Sequence, residues 1–177
     1  LEGLRILHLT DVHLGIYKTN EHLAEALAKA KSLSPQLILL TGDIADDLSL
    51  LPRALAMTHA MGAPYGVYSS LGNHEYSRGI REVKRIYAES PVPLLRDNGV
   101  AVDVGGHPLY LAGCDDPRYG RHEDAPFLRR SVRRAVAARS PPPHAIRLPN
   151  SRPITRASTL PRRRSASRPA SARSSVS

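Results

Sequence analysis

Cysteine is almost missing from this chain: Cys114 stands alone among 177 residues. One thiol excludes an internal disulfide framework, and a small buried side chain is the ordinary expectation for it. No apolar run approaches the ~20 residues that span a bilayer, and no basic and apolar leader opens the sequence. The first residue is Leu1 rather than Met, so an upstream anchor or signal is left open and the location unknown: the cytoplasm, or a membrane surface where such an anchor precedes Leu1. The third absence is of acids. From Arg129 to Arg173 there are 13 arginines and no Asp or Glu, which leaves residues 1–127 with 12 basic against 16 acidic side chains. The formal +9 of the whole chain therefore divides into −4 in front and +13 behind. Spread over a fold, such an excess would point to nucleic acid or an anionic membrane. Confined to the back, it describes a tail.

What is present is a globular front. The length and the 41% apolar content suffice for one domain with a sizeable core. Leu4 to Thr10 (LRILHLT) is a short apolar run ending in polar residues, as a buried strand of an α/β sheet would be. Leu23, Ala26, Leu27, Ala30 and Leu33 recur at three and four, predicting a helix that stops before Pro35. Gln36 to Leu40 (QLILL) predicts a second strand, Leu50 to Met61 a helix, and Gly66 to Leu71 (GVYSSL) a third strand. Right-handed crossovers would make these strands parallel. A helix over Gly79 to Glu89 carries Ile80, Val83 and Tyr87 on one side. Asn98-Gly99 and Gly105-Gly106 then signal tight turns between PVPLLRD, VAVDV and PLYLAGC, hence antiparallel strands.

The predicted domain covers residues 1–125. Residues 126–177 are dense in Arg, Ser, Pro and Ala, with only Phe127 to Ala138 suited to a basic helix, and this composition predicts disorder. The same bias is what a shifted reading of GC-rich coding sequence produces, so the alternative expectation is a tail out of frame with a lost second sheet. Reading the coding DNA beyond residue 125 in the other frames tests it: no apolar strands and no Gly-His-x-His there would exclude it.

Three strand ends deliver metal-ligand chemistry. Asp11-Val12-His13 follows LRILHLT, Gly42-Asp43-Ile44-Ala45-Asp46 follows QLILLT, and Gly72-Asn73-His74-Glu75 follows GVYSSL. Ligands of open parallel sheets bind beyond the carboxyl ends of the strands, so the three loops should converge although ~30 residues separate them. Two carboxylates, an imidazole and an amide oxygen suit Mn, Fe, Zn or Mg, without the thiolates of a structural zinc site. Two such ions held ~4 Å apart repel, and a shared carboxylate between them relieves this, so one Asp should be central.

In this order and spacing, D-x-H, G-D-x-x-D and G-N-H-E resemble the calcineurin-like metallophosphoesterase family over residues 4 to 120. Each motif alone is weak; three in order, each after an apolar strand, are specific. The resemblance implies an α/β/β/α sandwich and two divalent metal ions, with Asp11 and His13 on the first metal, Asp43 bridging, and Asn73 on the second. It implies that a hydroxide between the metals attacks phosphorus while His74 assists the leaving group, with Asp46 supporting a ligand or the loop from behind. The implied substrate is a phosphoester or pyrophosphate. Ala112-Gly113-Cys114-Asp115-Asp116-Pro117 is similar to a strand end in the branch that acts on membrane-linked or nucleotide-sugar phosphoesters. The family also completes its site with later histidines, one in a Gly-His-x-His, and this sequence has none; His107 and His144 are poor substitutes. The sandwich is therefore expected to be incomplete and the chain inactive as it stands. The competing expectation is a non-catalytic protein whose basic tail binds nucleic acid or anionic lipid. The tail has no aromatics interleaved for base stacking, which counts against nucleic acid.

Blander expectations hold elsewhere. His8 inside a strand should be a packed or hydrogen-bonded core residue, and His22, His59 and His122 exposed and inert. Asp47 should be solvated, Asp115 and Asp116 a rim or a polar strand end, and Glu75 either a holder of the neighbouring imidazole or a solvent contact.

Overall fold

The computed structural model describes residues 1–116, and beyond them only residues 129, 132, 133 and 137. Strands β1 (Ile6–Leu9), β2 (Leu37–Thr41) and β3 (Val67–Ser70) alternate with helices α1 (Asn20–Lys31) and α2 (Leu51–His59); α3 (Asn73–Glu89) and the strands β4 (Asn98–Val104) and β5 (His107–Gly113) follow. The first three strands form a parallel sheet in the order β1-β2-β3, with Leu7 opposite Ile38 and Ile38 opposite Val67. β4 and β5 form an antiparallel pair. This mixed α/β architecture agrees with the expected fold class.

Consecutive right-handed crossovers in one direction place their helices on one face. Accordingly Ile38, Leu40 and Val67 share a core with Leu23 and Leu27 of α1, Leu51, Ala54 and Leu55 of α2, and Val83, Ile86 and Tyr87 of α3. Because side chains alternate along a strand, the intervening residues face the other way. There Ile6 is 47% exposed and His8 is exposed too. His8 is thus not a core residue; its Nε2 lies 2.6 Å from Thr41 Oγ1 on the open face. β1 buries one face only, contrary to the expectation of a fully buried strand.

Local chemistry sets the helix ends. Thr19 caps α1 by accepting from the Glu21 N–H, and His22 Nδ1 accepts in return from the Thr19 N–H at 3.1 Å. α1 ends at Lys31, so Leu33 lies beyond it and is exposed, and only Leu23 and Leu27 of the expected apolar stripe are buried with Asn20. Pro52 sits in the first turn of α2, where its missing N–H has no intrahelical partner to lose.

Two expected element boundaries are corrected as well. Asn98-Gly99 is not a hairpin turn but the start of β4, paired with Gly113 and Ala112, and the PVPLLRD segment only touches β3 through the Ser69–Leu94 bridge. Long-range pairing here overrides a local turn preference. The Gly105-Gly106 turn is present, with both glycines at positive φ. The second correction concerns α3, which starts at Asn73 instead of Gly79; Gly79 is a break inside it, at φ 129. Cys114 is half-buried instead of buried. The tail expected to be disordered, with His122 and His144, lies outside the described residues; of the expected Phe127–Ala138 helix, Arg129, Val132, Arg133 and Ala137 are described and helical. No described helix is long and apolar enough to cross a membrane.

Candidate metal centre

The loops after β1, β2 and β3 meet at one edge of the parallel sheet, and backbone hydrogen bonds bring them together. The Asp11 N–H donates to Gly42 O, that of His13 to Asp43 O at 2.9 Å, and that of Leu14 to Ile44 O at 2.9 Å. The second loop returns the contact, since the Asp46 and Asp47 N–H groups both donate to Leu14 O. The third loop is pressed against the second at two glycines. A Cβ on Gly72 would lie 2.7 Å from Asp43 N, and one on Gly42 would lie 2.5 Å from Gly72 Cα. No other residue fits this backbone-to-backbone approach.

Asp11, His13 and Asp43 all adopt left-handed backbone conformations, at φ 52, 52 and 53. Such conformations cost non-glycine residues free energy and persist where surrounding bonds over-determine them, which is common at functional sites. The bonds are visible. Glu75, fully buried, accepts from the N–H groups of Asp43 at 2.9 Å, Ile44 at 2.8 Å and Gly72 at 2.8 Å. One carboxylate therefore staples the second loop to the third. It also supplies the acceptor that starts α3 at Asn73, as an acid three residues past a helix cap does. Glu75 neither holds the neighbouring imidazole nor meets solvent.

Ligand atoms of Asp11, His13 and Asp43 lie within 4.8 Å of one another. Two carboxylates and an imidazole in that space are a donor set that fits a divalent cation of hard or borderline character. The Thr10 hydroxyl donates to Asp11 Oδ2 at 2.5 Å, and the His74 N–H donates to Asp43 Oδ1 at 2.8 Å, each bond orienting a carboxylate from outside. Asn73 stands half-buried in the first turn of α3, between Gly72 and His74.

A second group, His13, Asp46 and His74, shares His13 with the first. Asp46 Oδ1 lies 2.5 Å from His74 Nδ1 and Oδ2 lies 3.3 Å from His13 Nδ1, so one carboxylate faces both imidazoles, whose rings meet edge to face at 4.5 Å. Both oxygens being engaged by ring nitrogens, this group reads as a support for two histidines, with the Nε2 atoms left for other work. Burial pushes the Asp46 carboxyl up, but the hydrogen bond and charge of His74, then the charges of His13 and Arg78, outweigh it and hold the group below the usual carboxylate range.

Arg78 escaped the reading of the sequence. It follows His74 at the i+4 helical spacing, and its guanidinium comes within 3.4 Å of Asp46 Oδ1; that spacing was the available signal. Tyr76 and Asp115 were also missed as a pair: the Tyr76 hydroxyl donates to Asp115, which also accepts from Arg96 Nε at 2.8 Å. Asp115 is thus an internal anchor, and Asp47 an exposed one that accepts from Ser49 N and Oγ. His22, His59 and His107 are exposed, and among the described residues none joins the centre.

The arrangement also has relatives. The chain is 35% identical over 83 residues to an uncharacterized metallophosphoesterase of Campylobacter jejuni, a match covering 46% of this chain and 22% of that protein. It is 30% identical over 136 residues to a putative metallophosphoesterase of Caenorhabditis elegans, covering 76% of this chain and 28% of the relative. To the UDP-2,3-diacylglucosamine pyrophosphatase of Chlamydia trachomatis it is 34% identical over 106 residues, 54% of this chain and 31% of that one. The matches thus span well under half of each relative's length. A family model described as calcineurin-like phosphoesterase matches residues 4–136. With three motif loops joined at one sheet edge around a donor set for divalent metal, this chain belongs to the calcineurin-like phosphoesterase family.

Proposed function

We propose that the chain carries the N-terminal part of a metal-dependent hydrolase of phosphoester or pyrophosphate bonds. The observation that carries this reading is the convergence of Asp11, His13 and Asp43, from two different loops, to within 4.8 Å in left-handed conformations. In it, Asp11, His13 and Asp43 would hold one divalent cation, and Asp43 with Asn73 would serve a second. Mn, Fe, Zn and Mg all suit these donors. When bound, the cations supply Lewis acidity toward the phosphoryl oxygens and lower the pKa of water.

The chain's own residues do the rest. His74, held through Nδ1 by Asp46, keeps Nε2 for the leaving oxygen, to which it gives a proton. Asp46 stabilises the imidazolium before transfer and fixes the ring. Glu75 keeps Asp43 and the Asn73-His74 turn in mutual register. The sequence contains no Gly-His-x-His to complete the shell of the second cation, so this chain by itself is expected to be weakly active or inactive. The name of the Chlamydia relative favours a pyrophosphate bond in a nucleotide-sugar lipid among the substrate classes.

The test is hydrolysis of bis(4-nitrophenyl) phosphate with each metal in turn, read beside binding of Mn²⁺ alone. Asp43→Asn is expected to weaken Mn²⁺ binding and to lower whatever hydrolysis the parent chain shows on the order of a hundredfold or more. Activity that survives both a chelator and Asp43→Asn would overturn the reading. Salt-sensitive binding of DNA or anionic lipid that survives Asp43→Asn, but disappears with residues 126–177, would favour the tail as the working part.

A further inference from the structure

The turn after the Asp11–His13 loop carries an unusual pair. Its base is closed by the Gly15 N–H donating to Lys18 O at 2.7 Å, and a Cβ on Gly15 would lie 3.3 Å from Asp46 Cβ. The turn therefore stands directly on the residue that supports both site histidines. At its tip Ile16 is 93% exposed and Tyr17 90% exposed, while the preceding Leu14 is completely buried. No other large apolar side chain among the described residues is more than 68% exposed. A single exposed apolar residue needs no explanation, but two adjacent ones at the tip of a turn beside a site do.

We infer that Ile16 and Tyr17 form a lipid-contacting tip that dips into the surface of a bilayer or micelle holding the substrate, and so selects phosphoesters with a hydrocarbon part. This rests on the hydrolase reading for the identity of the substrate, but the contact itself does not. Three observations select lipid as the occupant. The tip projects instead of forming a groove, which suits a fluid apolar surface better than a shaped ligand. Tyr17 joins an apolar ring to a hydroxyl, the combination favoured where hydrocarbon meets water. Lys18 follows it, and residues 14–20 contain no acid, so nothing in the turn repels a phosphate headgroup. Two side chains make a small contact, hence a weak and reversible one that adds to the hold on the phosphate.

Flotation of the full chain with phosphatidylcholine vesicles tests this, in chelator to remove metal and in high salt to screen the arginines of the tail. The chain is expected to float, and an Ile16→Ser, Tyr17→Ser variant with an unchanged far-UV circular dichroism spectrum to lose about tenfold or more in bound fraction, the order expected from exposing large apolar side chains. A chain that stays in the buffer, or a variant that floats equally well, would overturn the inference; the tip would then belong under another protein segment or a second copy. A parallel assay compares a soluble aryl phosphodiester with one bearing a long acyl chain. The double substitution is expected to lower the acyl-to-soluble ratio of kcat/KM about tenfold. Flotation without Mn²⁺ binding and without hydrolysis of either ester defeats the hydrolase reading and leaves the tip; Mn²⁺ binding or hydrolysis without flotation does the reverse.

Discussion

Glu75 in the parallel half and Asp115 at the end of the hairpin are both buried carboxylates, and the two regions keep them in different ways. Glu75 faces three backbone N–H groups and has no cationic partner among its hydrogen bonds. Asp115 accepts from two side chains, Arg96 and Tyr76, and from one backbone N–H, that of its neighbour Asp116 at 3.0 Å, and Arg96 also lies over the Tyr76 ring at 5.9 Å. Burial pushes the Tyr76 phenol up, and the hydrogen bond and charge of Asp115 add to it, so the phenol stays protonated and remains a donor. A carboxylate on backbone donors fixes the path of the chain itself. One held mainly by side chains from elsewhere in the chain chiefly fixes how two packed elements meet. The ligand loops need the first kind, because their left-handed residues must be held one by one.

The sharpest way to break the comparison is Glu75→Ala. Each buried N–H left without an acceptor costs ~1–3 kcal/mol, and with some water entering the gap the loss of stability is expected at about 3–5 kcal/mol. Urea denaturation reads this, and Mn²⁺ binding should fall with it because Asp43 loses its anchor. Glu75→Gln sharpens the point: it keeps the shape but turns an NH₂ toward N–H donors, so it should recover little. If Glu75→Gln matched the parent chain, the staple would not be electrostatic.

Asp115→Asn ranks next. It keeps the shape and the Tyr76 contact but removes the charge facing Arg96, whose side chain is 36% exposed and can turn to water. The expected loss is about 1–2 kcal/mol with Mn²⁺ binding unchanged. Weaker Mn²⁺ binding in this variant would show that the hairpin also shapes the centre. Arg85→Ala is the smallest. Arg85 bridges Glu82 and Glu89 on the open face of α3 with short contacts, yet solvent screens such pairs, so the urea midpoint should not move measurably.

Legibility followed the range of the interactions. Strand ends at Asp11, Asp43 and Asn73 were readable because each motif directly follows an apolar run, and the parallel order follows from handed crossovers. Arg78 was hidden behind a helix start placed six residues late. That error came from Gly79, which reads as a boundary and is instead a break within α3. The turn placed at Asn98-Gly99 failed for a related reason: a dipeptide preference worth little was outweighed by the pairing of β4 with β5 along its length.

Residue order by itself determined which ligand types this protein has, that they follow three strands, and that they reach the same sheet edge. The alternation of apolar and polar stretches suffices for that, since crossover handedness leaves few arrangements. Only the tertiary structure decided what each polar residue does there. Glu75 became a staple because burial left it no partner but the N–H groups of two loops, and Asp46 a shared support because His13 and His74 approach it from different strands. Partners that lie 28 to 33 positions apart leave no local pattern; packing alone chooses them.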